Sequence, residues 1–311
     1  MAILVSICIA TYKRPHSLKR LLIGLNQLQF SEAAPPDVEV VIVDNDAAGS
    51  ARIICDEMAS QMRWLLKYDI EPETGVTYAR NRSVANASKE ADFIAMLDDD
   101  EVPEPQWLEQ LLKVQSDYQA EIVTGPVYPY FEDNRTPEWI RHGQFFNPRS
   151  LQTGYRLQVA FTNNVLLKKQ CLEGRNPLFD HRFAFKGAED SHLFMKLSKE
   201  GYTIVWAENA RVIEWIPLSR TNLNWIVQRN FWGWSCYSLL EKEVFSTSTA
   251  HSVARALKGL GLVGLGLFSL PFSTIRGKSA VVKSIIRVAR GLGSLSGLIG
   301  FQGQWRANSS S

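Results

Sequence analysis

Three consecutive carboxylates, Asp98-Asp99-Asp100, followed by Glu101, end the apolar run Phe93-Ile94-Ala95-Met96-Leu97. That run reads as a buried strand, so the acids emerge at its carboxyl end, where open α/β sheets bind their ligands. Adjacent carboxylates repel one another, and burying them unpartnered is costly. They therefore need a counter-charge. A divalent cation carrying phosphate oxygens supplies one, because hard cations take carboxylate and phosphate ligands together. The plainer alternative is an acidic turn capping a helix that starts near Pro105.

Two other polar clusters sit at strand ends in the same way. Thr11-Tyr12-Lys13-Arg14 follows an apolar strand over residues 3–10, and Asp44-Asn45-Asp46 follows one over 38–43. Helical periodicity over residues 17–28, 50–62 and 76–87 alternates with these strands and with a short one at 64–68. This alternation predicts an α/β fold with a mostly parallel, doubly wound sheet. Three polar strand ends at one edge of such a sheet describe one site. Segments 120–123, 159–167, 202–206 and 211–215 complete the strands. Residues 126–155, rich in proline and aromatics, read as an irregular wall or lid rather than a domain.

The composition is that of a folded protein, with 45% hydrophobic and 21% charged residues. Cys8, Cys55, Cys171 and Cys236 lack metal-type spacing and read as reduced, buried thiols. The chain enters a strand at once, without the features of a signal peptide, so a cytoplasmic protein is expected. The net charge of +2 conceals an asymmetry: no acid follows Glu243, whereas residues 244–311 carry eight basic side chains. Within that tail, residues 257–272 are apolar and glycine-rich, yet short of the roughly 20 needed to span a bilayer. Val281, Ile285, Ala289 and Leu292 then form a stripe largely opposite Lys283, Arg287 and Arg290. A basic amphipathic helix of this kind lies on anionic membranes; packing against the protein's own core is the alternative. The tail lacks the aromatic interleaving of a nucleic-acid binder, so no nucleic-acid partner is expected.

Four segments together resemble the family 2 glycosyltransferases: residues 5–15 (Val-Ser-Ile-Cys-Ile-Ala-Thr-Tyr-Lys-Arg-Pro), Val41-Ile42-Val43-Asp44-Asn45, Gly75-Val76-Thr77-Tyr78-Ala79-Arg80-Asn81, and Leu97 through Pro103. Lys186-Gly187-Ala188-Glu189-Asp190, opening a helix over 191–200, is similar to that family's acceptor-side motif. The resemblance spans roughly residues 3–235. It implies a GT-A fold, a Rossmann-like, mostly parallel sheet flanked by helices, here with a helical C-terminal extension. It further implies a domain over residues 1–243, with a nucleotide-binding half at 1–103 and an acceptor-binding half at 104–243; the charge and apolar pattern of residues 244–311 add a membrane-associated extension.

By the same resemblance Thr11, Tyr12, Arg14, Asp44, Arg80, Asp98, Arg220 and Arg229 bind a nucleotide-diphosphate sugar, a UDP-sugar first. Asp98 and Asp100 are the DxD carboxylates that hold Mn²⁺ or Mg²⁺. Glu214 stands where many relatives place a metal-binding His, and either replaces it or pairs with Arg220 or Arg229. Asp190 is the expected base for a saccharide or lipid-linked acceptor hydroxyl, with Glu189 orienting the acceptor. One base with direct attack implies inversion at the anomeric carbon. Location follows as cytoplasmic and peripheral on the inner face of the cell membrane. The rival readings are a nucleotidyltransferase acting on a sugar phosphate and a non-catalytic nucleotide-sugar or glycan-binding protein.

Overall fold

A computed structural model describes residues 3–31, 34–245 and 248–301. The elements run β1 (Leu4–Thr11), α1 (Pro15–Asn26), β2 (Asp37–Asp44), α2 (Arg52–Ala59), β3 (Leu65–Ile70), α3 (Val76–Ala85) and β4 (Phe93–Met96). There follow β5 (Glu101–Pro103), α4 (Trp107–Tyr118), β6 (Ile122–Thr124), β7 (Val127–Tyr130), α5 (Glu138–Arg141) and β8 (Arg156–Leu157). The chain continues through β9 (Val165–Lys168), α6 (Glu189–Lys199), β10 (Ile204–Trp206) and β11 (Val212–Trp215), and ends in α7 (Leu223–Phe245), α8 (Thr249–Ile275) and α9 (Lys278–Leu298).

Residues 1–129 and 148–215 form one compact unit. Its main sheet has the order β3-β2-β1-β4-β9-β6-β10-β8. β1 to β4 are parallel, as expected, and so are β6 and β10. β9 runs antiparallel to both β4 and β6, and β8 antiparallel to β10. Successive residues of the central strands feed opposite cores. Val5, Ile7 and Ile9 of β1 and Val40 and Ile42 of β2 pack with Leu18, Leu21, Leu22 and Trp107, while Cys8, Val41, Ile94 and Met96 pack with Phe179, Leu193 and Phe194. Burial on both faces is why these strands read as continuous apolar runs rather than alternating ones. The exception is Glu39, buried within β2. It accepts from Ser6 Oγ (2.5 Å) and the Ser88 N–H (2.6 Å) and pairs with Lys67 (2.7 Å), and these partners outweigh its burial and hold its pKa low. A second, three-stranded sheet has the order β5-β11-β7.

Residues 130–147 and 216–311 form the other unit. The division therefore falls at Trp215–Ile216 rather than at residue 243, because α7 packs along α9 and takes its whole length into the helical unit. The aromatic stretch expected as one wall is split likewise. Phe146 stacks on Trp225 at 5.5 Å, and Phe131, Trp139 and Phe145 pack around Ile140, Ile226, Val282 and Ile286. The tail also differs from its reading. α8 is continuous for 27 residues, longer than the apolar stretch 257–272, and α9 buries Val282, Ile286 and Ala289 together with Gly293 and Gly297. Leu292, on the apolar stripe read from the sequence, is exposed. Small residues decide this register: a Cβ at Gly293 or Gly297 would strike the backbone of Phe231 or Ser235 on α7. Residues 302–311 of the expected extension lie outside the described residues.

Candidate active site

β1 lies between β2 and β4, at the point where strand order reverses, and the crevice outside such a switch point is where α/β sheets bind ligands. Thr11 ends β1, and its Oγ1 donates to Asp99 Oδ2 at 2.8 Å. Lys13 adopts a left-handed conformation (φ 55°) at the turn that leads to Arg14. Arg14 donates from one nitrogen to Asp99 Oδ1 (3.0 Å) and Asp100 Oδ2 (3.1 Å). These bonds tie the tips of β1 and β4 together across the switch point. Burial pushes the Asp99 carboxyl up to about 6, with Arg14 pulling the other way and Asp100 adding to the rise. Tyr12 stands exposed beside them.

The acids after β4 and those that open α6 meet at Arg80, on α3. Its guanidinium donates to Asp98 Oδ1 at 2.8 Å and forms an ion pair with Glu189 Oε1. Despite burial, Glu189 and Asp98 hold that guanidinium firmly charged. Asp98 remains 40% exposed and open to a ligand, whereas Glu189 is 6% exposed. Glu189 Oε2 is buried with no hydrogen-bond partner among the described residues. Burial raises the Glu189 carboxyl to about 7, opposed by Arg80 and reinforced by Asp190. Asp190 is also raised by burial, against the pull of Arg80, and accepts from the Ser191 N–H at 2.5 Å. Gly187 (φ 69°) and Ala188 (φ 72°) are both left-handed just before α6 and aim this pair of acids. A non-glycine residue so placed is strained, a cost that proteins tolerate chiefly at functional sites.

The remaining expected residues have the following surroundings. Asp44, expected to receive a nucleotide base, is fully buried. Its carboxylate accepts from the Ala51 N–H (2.7 Å), the Asp46 N–H (3.0 Å) and Tyr68 OH (3.1 Å), which pins the loop after β2. Glu214, expected as a further metal ligand, lies on β11 opposite Glu101 of β5. Among the described residues no three His, Cys, Asp or Glu side chains cluster as a metal site. Arg220 and Arg229 belong to the helical unit, where both guanidiniums lie over the Trp225 ring.

Four further residues shape the site. Buried Glu101 accepts from the Asp98 N–H at 2.9 Å; burial, with Asp98 and Glu214 nearby, raises its pKa well above the usual carboxylate range. Asn45 bonds the Glu71 and Glu73 carbonyls and the Gly75 N–H, fixing the start of α3 and hence Arg80. Asn81 bonds both the N–H and the carbonyl of Phe179, at 2.8 Å each. Asn164, wholly buried, joins Trp107 Nε1 to the Pro126 and Ala210 carbonyls. Asn45 and Asn81 stand next to the motif residues Asp44 and Arg80, a signal that could have found them; Asn164 offered none.

Residues 6–173 match the family model described as glycosyl transferase family 2, and residues 93–289 match glycosyl transferase family group 2. The succinoglycan biosynthesis protein ExoM of Rhizobium meliloti (strain 1021) is 28% identical over 300 residues, covering 96% of this chain and 94% of that protein. Among solved structures, the mannosyltransferase PcManGT from Pyrobaculum calidifontis, in complex with GDP-Man and Mn²⁺, superposes with a TM-score of 0.59 at 17% identity, covering 94% of this chain and 87% of that one. TarS 1–349 of S. aureus, in complex with UDP, gives 0.54 at 15% identity, covering 96% and 92%. The architecture is thus the GT-A fold with a C-terminal helical region, and the chain belongs to glycosyl transferase family 2, an enzyme that transfers sugars and is related to proteins of polysaccharide biosynthesis.

Proposed function

We propose that this enzyme moves a sugar from a nucleoside-diphosphate sugar, a UDP-sugar first, to a hydroxyl of a saccharide or lipid-linked acceptor, with inversion, in the synthesis of a surface polysaccharide or glycolipid. The observation that carries the reading is the Arg80 guanidinium, which joins Asp98 at a strand tip to Glu189 at the start of α6. One ion-pair network thereby spans the donor-side and acceptor-side acids.

Thr11, Tyr12 and Arg14 receive the nucleotide, and the half-exposed Arg14 turns from Asp99 and Asp100 toward the phosphates. Asp44 braces the wall beside them from within. Asp190 accepts the proton of the acceptor hydroxyl, and burial, by raising its pKa, makes it a better acceptor at neutral pH. The freed oxygen attacks the anomeric carbon as the bond to the diphosphate oxygen breaks. With one displacement and no covalent intermediate, an α-linked donor gives a β-linked product. Glu189, fixed by Arg80, orients the acceptor. Arg220 and Arg229 are assigned to the departing diphosphate.

Asp98 and Asp100 offer hard carboxylate oxygens from one strand tip, a donor set that fits Mn²⁺ or Mg²⁺ shared with diphosphate oxygens. The ion, when bound, acts as a Lewis acid toward the leaving diphosphate. The described cysteines are all buried and free, which suits a reducing cytoplasm, and the basic tail suits the anionic inner face of the cell membrane.

The test is release of nucleoside diphosphate from a panel of UDP-, GDP- and dTDP-sugars, with Mn²⁺ or EDTA. Asp190→Asn should bind donor almost normally and turn over about 10²-fold more slowly, while Asp100→Asn should lose metal-dependent donor binding. Full turnover by the first variant moves the base elsewhere. Unchanged donor affinity in Mn²⁺ for the second removes its assigned role.

A further inference from the structure

Residues 259–275 carry no charge. On the side of α8 turned away from α9, Leu257, Leu260, Leu265, Phe268, Phe272 and Ile275 are each more than half exposed. Gly259, Gly266 and Ser273 are the buried row, against α9. Large apolar side chains outside and small ones at the seam reverse the packing of a water-soluble bundle. Seams of small residues with serine hydroxyls bonded across them are how helices associate in lipid, and here Ser284 of α9 bonds Ser269 (2.9 Å) and Ser273 (2.7 Å) of α8. A continuous apolar face of this extent marks an interaction surface.

At 27 residues α8 is long and apolar enough to cross a bilayer, but α9 opposes that pose. Arg287 donates to Ser269 Oγ at 3.2 Å, so it lies beside the middle of the uncharged stretch, and both it and Lys283 are exposed. A spanning α8 would carry these two cations into the hydrocarbon, where they are expensive. A hairpin lying flat removes the conflict. Lys258 and Arg276 flank the uncharged stretch, Lys278 follows, and no acid occurs after Glu243. The partner that complements such a rim is a surface of negative phosphates over hydrocarbon.

We propose that α8 and α9 form a monotopic hairpin in the plane of an anionic bilayer, with the exposed face of α8 among the acyl chains and the cations at Lys258, Arg276, Lys278, Lys283 and Arg287 at phosphate level. The inference deepens the membrane location proposed above and rests on it, but not on the transfer chemistry. The full-length protein is sedimented with vesicles of phosphatidylcholine alone or of equimolar phosphatidylcholine and phosphatidylglycerol. It binds the anionic vesicles, and Leu260→Glu combined with Phe268→Glu weakens that binding at least about tenfold with donor binding and melting temperature unchanged. Lys283→Glu with Arg287→Glu abolishes the preference for anionic lipid. Probes on Leu260→Cys, Leu265→Cys and Phe272→Cys, the native cysteines being buried, report one shallow depth by quenching with brominated lipids. A depth series with Leu265 at the bilayer centre means that α8 spans and overturns the proposal. So does a failure to bind vesicles accompanied by a dimer that Phe268→Glu dissociates, because a second copy then covers this face. Intact vesicle binding without any nucleoside diphosphate release would sink the transferase reading and leave the hairpin standing.

Discussion

Replacing Glu189 by Gln gives a stability change whose pH dependence can be worked out from the site. The carboxylate is 6% exposed, and one oxygen is paired with Arg80 while the other has no partner among the described residues. Burial raises its pKa from 4.5 to about 7 even against that arginine. A raised carboxyl binds its proton more tightly in the folded state than in the unfolded chain. Its contribution to stability is whole below pH 4.5 and is lost as pH rises through about 7. The loss runs at about 1.4 kcal/mol per pH unit, about 3 kcal/mol in all. Gln has no proton to lose, so Glu189→Gln should gain about 3 kcal/mol on the wild type between pH 4.5 and pH 7. Losing the Arg80 ion pair shifts the difference by an offset but supplies no comparable slope. Because Asp190 is raised in the same site and titrates with Glu189, Asp190→Asn is measured alongside to divide the slope. The assay is urea unfolding followed by tryptophan fluorescence at several pH values across this range. A difference between variant and wild type that stays constant with pH would mean that Glu189 ionises as it does in water, and the desolvated, shared acid site would be wrong.

Other consequences are simpler. Ala188→Gly relieves a left-handed alanine at φ 72° and should raise stability by up to about 1 kcal/mol; a lowered melting temperature would show the turn to be unstrained. Asn164→Ala strands Trp107 Nε1 and the Pro126 and Ala210 carbonyls. It should cost about 3 kcal/mol in urea unfolding, and a loss under about 1 kcal/mol would mean that water replaces the amide.

The sequence and the structure agree best where a local rule operates. The run Phe93–Leu97 and the acids after it state a buried strand and a polar tip without reference to the rest of the chain, and the same holds for β1 with Thr11 and β2 with Asp44. Motif order and spacing then identified the family. Where local pattern faced tertiary contact, contact won. Asp44 reads as a buried acceptor at a strand end, but only the fold shows that the loop folding back from Asp46 to Ala51 and the Tyr68 hydroxyl donate to its oxygens. The large aliphatic stripe of α9 gave way to glycines, because only they admit α7 so closely.

What the chain determined alone was its strands, their charged tips and the helical tail, since apolar runs, turn residues and charge are properties of neighbouring residues. Which carboxylate meets which arginine was decided only by the fold. Arg80 reaches Asp98 across 18 positions and Glu189 across 109, and no local period encodes a separation that the order of strands in a sheet creates. The upward shift of the Asp99, Glu189 and Asp190 carboxyls is of the same kind, because it depends on how much water the packed site excludes.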